Sequence, residues 1–224
     1  PIKVSVVTPG MGRDGRLKAT GIPAPLLAAY LDAQGIVVEK TTDFTCLFLF
    51  SMGVTRGKWG TLINALLGFR RDVLANTPLD RCIPALVADH PASYGALGLG
   101  DLAASMFSAM KKHRTAEFMS EAFGVLPVPK FSPVGAYERL VNGRVESLPL
   151  EQLAGRTVAT GVVPYPPGIP LLMPGENAGE ATGPMLGYLK ALESFDSEMP
   201  GFAHDTHGVE IVDGRYHVLC IAEE

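Results

Sequence analysis

Apolar and polar positions alternate along residues 2–8, with Ile2, Val4 and Val6 on one side and Val7 beyond, and this period of two predicts a strand that Pro9 and Gly10 end. Pro23 then suits the first turn of a helix in which Leu26, Leu27, Tyr30 and Leu31 recur at helical spacing and which Gly35 closes. Residues 36–38 predict a short buried strand. Residues 46–50, almost continuously apolar, predict a strand covered on both faces. Thr55 is a candidate cap for a helix with Trp59, Leu62, Ile63, Leu66 and Leu67 on its inner face and Arg70, Arg71 and Asp72 near its solvated end. Residues 1–75 therefore predict an α/β layer of helices packed on a sheet.

Helical periodicity takes over in residues 76–142. Leu102, Met106, Phe107 and Met110 share one face, and Phe118, Met119, Ala122 and Phe123 share another. The methionines read as core filling. Ser132 is placed to cap a helix with Val134, Tyr137, Leu140 and Val141 inward, which Asn142 and Gly143 end. The texture changes again in residues 143–224. Short strands are predicted at 157–163 and 169–173, followed by a helix with Met185, Tyr188, Leu189, Leu192 and Phe195 inside, and a hairpin of 209–212 with 215–221 turned at Asp213-Gly214. This last section reads as α+β, packed with the helical section into one domain spanning 76–224.

Between the predicted strands runs the most peculiar stretch of the chain, residues 162–176, with five prolines and two glycines. Each proline fixes φ and deletes a backbone donor, so the segment is expected to be a stiff, extended connector and neither helix nor interior strand. Tyr165 and Glu176 are its side chains with hydrogen-bonding chemistry. Such a segment serves as a corner between strands or as the wall of a site.

Composition narrows the class. With 224 residues, 47% of them apolar and 19% charged, the chain is globular. A net charge of −4 argues against a nucleic-acid surface, which needs a basic face. No run of about eighteen apolar residues predicts a membrane span, and no charged segment followed by an apolar one predicts a signal peptide. Cys46, Cys82 and Cys220 are scattered without CxxC spacing and are expected to be reduced thiols in a cytoplasmic protein. Pro1 already stands at the edge of a strand pattern without an initiator Met, which suggests a piece of something longer.

Several motifs offer chemistry. Gly10-Met11-Gly12-Arg13-Asp14-Gly15 fits the GxGxxG fingerprint of dinucleotide binding, but Gly21 and Pro23 postpone the helix that its last glycine should open, which leaves a flexible, solvent-facing turn. His204 and His207 flank Asp205 without a third and fourth ligand at zinc spacing, so no metal is expected and the imidazoles are assigned to loop hydrogen bonds. Cys46 and Cys220 fall in apolar strands and read as packing residues. Glu39 follows an expected strand at the edge of the sheet, where a carboxylate can hold a cationic group by a charge-assisted hydrogen bond; the alternative is a local ion pair with Lys40. Arg56, Lys58 and Trp59 read as helix-start structure.

Together, residues 21–24 (GIPA), 35–41 (GIVVEKT), 47–51 (LFLFS), 164–168 (PYPPG), 173–176 (MPGE) and 200–202 (PGF) resemble the carboxy-terminal part of the bacterial PLP-dependent ornithine/lysine/arginine decarboxylases, the large-chain group with an aspartate-aminotransferase-type fold. The resemblance runs over essentially the whole chain. Residues 41–44 (TTDF) and 51–62 (SMGVTRGKWGTL) are most similar to the acid-inducible arginine decarboxylases, whereas Glu39-Lys40 is equally typical of lysine-specific members.

The resemblance implies a transaminase-like small domain in residues 1–75 and the family's carboxy-terminal domain in 76–224. It implies proton-consuming decarboxylation of arginine to agmatine, with acid resistance as the outcome, a basic amino acid as substrate, and assembly into dimers or higher rings. By the same carry-over Glu39 and Thr41 contact substrate, and Tyr165 and Glu176 face the entrance to the active site. The family's Schiff-base lysine follows a histidine in a Ser-x-His-Lys motif, and no lysine here does so; Lys111-Lys112-His113 has the wrong order. The chain alone is therefore expected to hold no catalytic residue, to bind PLP only as part of a longer enzyme, and to be inactive. The alternatives are a lysine or ornithine decarboxylase of the same family, and a non-catalytic module for oligomerisation or regulation.

Overall fold

A computed structural model describes residues 2–223; Pro1 and Glu224, the outer ends of the two expected domains, lie outside the described residues. The architecture is mixed α/β. The chain gathers into two compact units, one running up to Lys112 and including Met199–Phe202, the other made of His113–Glu198 and the residues from Ala203 on.

In the first unit β1 (Lys3–Val7), α1 (Ala24–Asp32), β2 (Lys40–Thr41), β3 (Thr45–Leu49) and α2 (Arg56–Leu74) precede α3 (Leu79–Cys82), α4 (Pro84–Asp89), α5 (Pro91–Tyr94) and α6 (Leu99–Lys112). The strands form an antiparallel sheet in the order β1-β3-β2, with Cys46 opposite both Val6 and Thr41. Helix α1 buries Leu26, Leu27, Tyr30 and Leu31, and α6 buries Leu102, Met106, Phe107 and Met110, as their spacing predicts.

Four expectations in this unit change. Residues 36–38 form no strand: the Ile36 N–H turns back to Leu31 O, pairing begins where the Glu39 N–H meets Leu47 O, and Val37 between them is exposed. Strand β3 is covered on one face only, with Cys46 and Phe48 buried and Leu49 exposed, so its apolar run overstates its burial. Helix α2 turns part of its expected inner face outward, leaving Leu62 and Leu66 half-buried. Trp59, Ile63 and Leu67 are 44%, 47% and 59% exposed, while Ala65 and Phe69 are buried.

The cause of that rotation is an anchor at the far end of α2. The Phe69 ring meets the Tyr30 ring edge-on at 5.1 Å, and the Tyr30 hydroxyl donates to Asp72 at 2.7 Å. Asp72, expected at a solvated end, is thereby tied to the core, and Arg71 beside it holds its carboxyl below the usual range. Thr55 stands at the N-cap with extended backbone, yet its side chain makes no capping bond.

The fourth change concerns the glycine loop, which is not wholly solvent-facing. Residues 13–16 are exposed, but Gly10 is buried, and a Cβ on Gly21 would collide with the Phe107 ring. These two glycines permit the close approach of loop to helix, a packing role.

The second unit holds α7 (Thr115–Ala122), α8 (Pro133–Val141), β4 (Val145–Pro149), β5 (Val163–Tyr165), α9 (Pro184–Glu198), β6 (Asp205–His207), β7 (Val209–Val212) and β8 (Arg215–Ile221). One sheet has the order β4-β8-β7, and β5 pairs with β6 in a separate ribbon. Its core joins Leu150, Leu172, Leu186, Leu189 and Val218; of the α9 residues expected from the periodicity Met185, Tyr188, Leu189 and Leu192 enter it, and Phe195 is buried as well. Ala122 is buried in the same core, with Phe118, Met119 and Phe123 half-buried against it. The Ser132 Oγ accepts from the Gly135 N–H at 3.1 Å, the expected cap. Asp213 (φ 50°) and Gly214 (φ 75°) make the expected hairpin turn.

Two expectations change here as well. On α8, Val134, Tyr137 and Val141 point outward, and the helix packs through Ala136, the small residue that lets its backbone come close. Residues 157–163 and 169–173 do not form the two strands their apolar character suggests. They make isolated bridges such as Val158 with Cys220 and Val162 with Leu172, and within 169–173 Pro170 cannot supply a ladder donor. Strand β5 lies inside the connector, with Pro164 opposite Thr206, a place open to proline because a two-stranded ribbon is all edge.

Burial gives the fold a predictable pH profile. It pushes the Cys46 thiol up to about 11 and the Cys220 thiol up to about 12, and the Tyr30 and Tyr94 hydroxyls up to about 12. All four groups hold their protons more tightly folded than unfolded. Their stabilisation is full below the unfolded values, ~8.5 for Cys and ~10 for Tyr, and is lost as pH rises through the folded ones. The melting temperature is expected to stay flat from about pH 7 to 8 and to fall steadily from about pH 9 to 12. A calorimetric pH series checks this; a flat profile to pH 12 would mean that these groups are not buried.

Candidate functional site

Glu39 stands at the point where the connector after α1 enters the sheet. Its carboxylate takes the Lys3 ammonium of β1 at 3.5 Å, both side chains being partly exposed. Sequence had offered a local ion pair with Lys40 as the alternative to a substrate role; across the sheet Lys3 falls opposite Leu49 and Lys40 opposite Leu47, on the two sides of β3. Thr41 turns elsewhere, to the buried Cys46, whose thiol it hydrogen-bonds while the same thiol donates to Ala24 O at 3.6 Å. The structure therefore does not bring the Glu39 and Thr41 side chains to one point.

A cavity of about 390 Å³ in the same unit is walled by Ile36, Val37, Leu49, Phe50, Trp59 and Lys58 among others, and Glu39 is not part of its wall. Lys58 and Trp59 thus border a cavity, a placement that a helix-start role alone does not require.

In the second unit Tyr165 ends β5 opposite Asp205. Its ring closes on Gly168, where φ is +78° and an added Cβ would come within 2.8 Å of Tyr165 Cδ2. Glu176 is spent on its own turn: its Oε2 accepts from the Met173 N–H at 2.7 Å, and its N–H donates to Met173 O at 3.0 Å. Connector and turn are thus held rigidly by local bonds. Tyr165–Pro166 and Pro166–Pro167 are both cis.

A polar network that the sequence pattern did not reveal lies nearby in the same unit. Asp196 of α9 accepts from the Tyr216 hydroxyl through one oxygen, and through the other from His204 Nδ1 at 2.6 Å and the His204 N–H at 3.1 Å. The Asp196 side chain is only 7% exposed. Since a carboxylate can only accept, His204 carries a hydrogen on Nδ1. Burial, followed by the Asp196 charge, pushes the Tyr216 hydroxyl far up. His204 had been grouped with Asp205 and His207; Asp205 instead faces His207 at 3.5 Å. Among the described residues no group of three or more His, Cys, Asp or Glu side chains could hold a metal ion.

Known proteins decide the family. The family model described as "Orn/Lys/Arg decarboxylase, C-terminal domain" matches residues 116–222, and that described as "Orn/Lys/Arg decarboxylase, major domain" matches residues 1–58. The chain belongs to the Orn/Lys/Arg decarboxylase family. It is 50% identical over 221 residues to the biodegradative arginine decarboxylase of Escherichia coli (strain K12), and 44% identical over 227 residues to the lysine decarboxylase LdcA of Pseudomonas aeruginosa. Those alignments take in 99% and 100% of this chain but only 29% and 30% of the relatives. A solved structure of the E. coli constitutive lysine decarboxylase superposes with a TM-score of 0.93 at 40% identity, over 99% of this chain and 31% of that one. The family match thus joins a part of the major domain to the carboxy-terminal domain, and the enzymes it points to are amino-acid decarboxylases.

A Schiff-base cofactor such as PLP needs a lysine amine in an enclosed site. Among the described residues no lysine is buried: Lys3 pairs with Glu39 in the open, Lys111 reaches Ala19 O from the surface, and Lys58 is exposed at its cavity wall. The residues of this chain do not by themselves fit the cofactor. No helix among the described residues is long and apolar enough to cross a membrane.

Proposed function

We propose that this chain is the carboxy-terminal part of a PLP-dependent arginine decarboxylase that converts arginine to agmatine and CO2, consuming a proton in each turnover and serving acid resistance in the cytoplasm. The observation that carries the reading is the 50% identity to the biodegradative arginine decarboxylase, above the 44% to the lysine enzyme. In this reading residues 1–75 are the transaminase-like small domain and residues 76–224 the carboxy-terminal domain, comprising the helical section 76–142 and the α+β section 143–224. PLP belongs to an upstream part of the parent enzyme, which also carries the Schiff-base lysine, and the parent assembles as a homodimer or higher ring.

Glu39 is the side chain proposed to receive the cationic end of the substrate; Thr41, carried over with it from the family resemblance, would contact a different part of the substrate, since its side chain turns to Cys46. Glu39 is partly exposed, already accepts an ammonium from Lys3, and can exchange that partner for a guanidinium at little cost, since an exposed ion pair contributes ~0–1 kcal/mol. Tyr165 and Glu176 shape the entrance through the rigidity of the connector and perform no bond chemistry. A lysine preference is the second reading, favoured by the Glu39-Lys40 pair typical of lysine-specific members. Assaying the full-length parent on arginine, lysine and ornithine side by side tests the assignment: the highest kcat/KM is expected on arginine, and a preference for lysine or ornithine would transfer the chain to that branch.

A further inference from the structure

Residue Arg139 of α8, Arg144 just before β4, and Arg156 meet at the carboxy-terminal end of β8 in the second unit. Two adjoining cavities, of about 410 and 370 Å³, share Arg139, Ile221, Ala222 and Glu223 in their walls. Phe131, Arg156 and its neighbours Gly155 and Thr157 complete the first and Arg144 the second.

The three guanidinium groups are not equivalent. Arg156, with a side chain 15% exposed, binds Glu146, Ile221 O at 3.1 Å and, through Nε, Glu223 at 3.3 Å. Its Nη1 has no partner among the described residues. Arg139 lies over the Phe131 ring at 3.9 Å from its centroid and donates from Nη1 to Gly135 O, which fixes its plane while leaving its charge unneutralised. Neither Arg139 nor Arg144 has a carboxylate partner among the described residues.

The seat on Arg156 Nε is filled by a carboxylate that belongs to the tail. The Glu223 side chain is 78% exposed and contributes little packing, so it behaves as a tethered, exchangeable occupant. A cleft that holds a solvent-exposed carboxylate on one arginine, while two further guanidiniums around it have no carboxylate partner among the described residues, is suited to more than one negative charge.

We propose that this cleft binds a small multivalent oxyanion, which displaces Glu223 from Arg156 and bridges it to Arg139 and Arg144. The fixed planes of Arg139 and Arg156 favour a planar or tetrahedral oxyanion that accepts paired N–H donors, and the open mouth at Arg144 admits a second charged group. Such a ligand ties α8, the start of β4 and the end of β8 together from outside the core, and its binding is unconnected with the reaction proposed above.

Calorimetric titration of the 224-residue chain with pyrophosphate, and separately with citrate, tests the proposal. Saturable binding of either supports it, and the tighter of the two tells a phosphate ligand from a polycarboxylate. Arg144→Gln, at an exposed position without a side-chain partner among the described residues, leaves the fold intact and should weaken binding roughly tenfold, the worth of one charge-assisted hydrogen bond. Glu223→Gln should strengthen binding several-fold by removing the internal competitor. No saturable heat with either anion, or unchanged affinity in Arg144→Gln, would overturn the proposal.

Discussion

Asp196→Ala is expected to destabilise the second unit by about 3–5 kcal/mol, enough to unfold a domain of ordinary stability near body temperature. The carboxylate is nearly inaccessible to water and accepts from three donors on two segments that follow it in sequence: the Tyr216 hydroxyl of β8, His204 Nδ1 and the His204 N–H. Its loss takes the shared carboxylate acceptor away from the Tyr216 hydroxyl, the His204 Nδ1–H and the His204 N–H in a largely buried place. Tyr216→Phe removes only one donor and keeps the ring in place, so it should cost about 1–2 kcal/mol. Urea unfolding of both variants, followed by circular dichroism, measures the difference. Equal small losses in the two would show that Asp196 is solvated and the network is not the clamp that its geometry describes.

Changing Glu39 to Gln in the full-length parent is expected to raise KM for the preferred basic amino acid roughly tenfold or more, with a smaller effect on kcat. The amide keeps the shape and forfeits the charge that holds a guanidinium or ammonium group. The pairing with Lys3 supplies the control. If Glu39 merely stitches β1 to the entry of β2, Lys3→Met removes the same exposed ion pair and should reproduce whatever Glu39→Gln does. If Glu39 holds substrate, Lys3→Met leaves KM unchanged or lowers it by freeing the carboxylate. An unchanged KM in Glu39→Gln for arginine, lysine and ornithine alike would remove Glu39 from the site.

Sequence periodicity served best where one face alone decides burial. Helices α6 and α9 present the apolar positions that their spacing marks, and the hairpin of β7 and β8 turns at the Asp-Gly pair whose two residues reach positive φ. It failed on α2 and α8, where apolar residues at helical spacing point to the outside. Nothing local distinguishes a stripe such as Trp59, Ile63 and Leu67 from a core stripe; the Tyr30–Phe69 contact and the bond to Asp72, made across long sequence separations, set the rotation. Residues 157–163 and 169–173 are apolar without being strands: the N–H groups of Val158, Ala159 and Val162 go to three separate segments instead of one ladder, and Pro170 has no N–H to give.

For the candidate site, the residue types were legible and their partners were not. Glu39 stood out as a carboxylate at a strand end, but Lys3 became its neighbour only through the strand order β1-β3-β2. The network of Asp196, His204 and Tyr216 left no mark in the sequence, since its members stand 8 and 20 residues apart on three different segments. Family motifs bridged that gap where periodicity could not: the stretches of residues 35–41 and 164–168 carry the resemblance that the matches over residues 1–58 and 116–222 then establish.

The central claim is that these residues complete a decarboxylase whose chemistry resides upstream. The most direct measurement is the release of labelled CO2 from carboxyl-labelled arginine, with PLP present, by the 224-residue chain and by its full-length parent at equal concentration. The account predicts steady release by the parent and none above the buffer blank by the chain, which lacks any buried lysine among its described residues. Sustained release by the chain alone would contradict it.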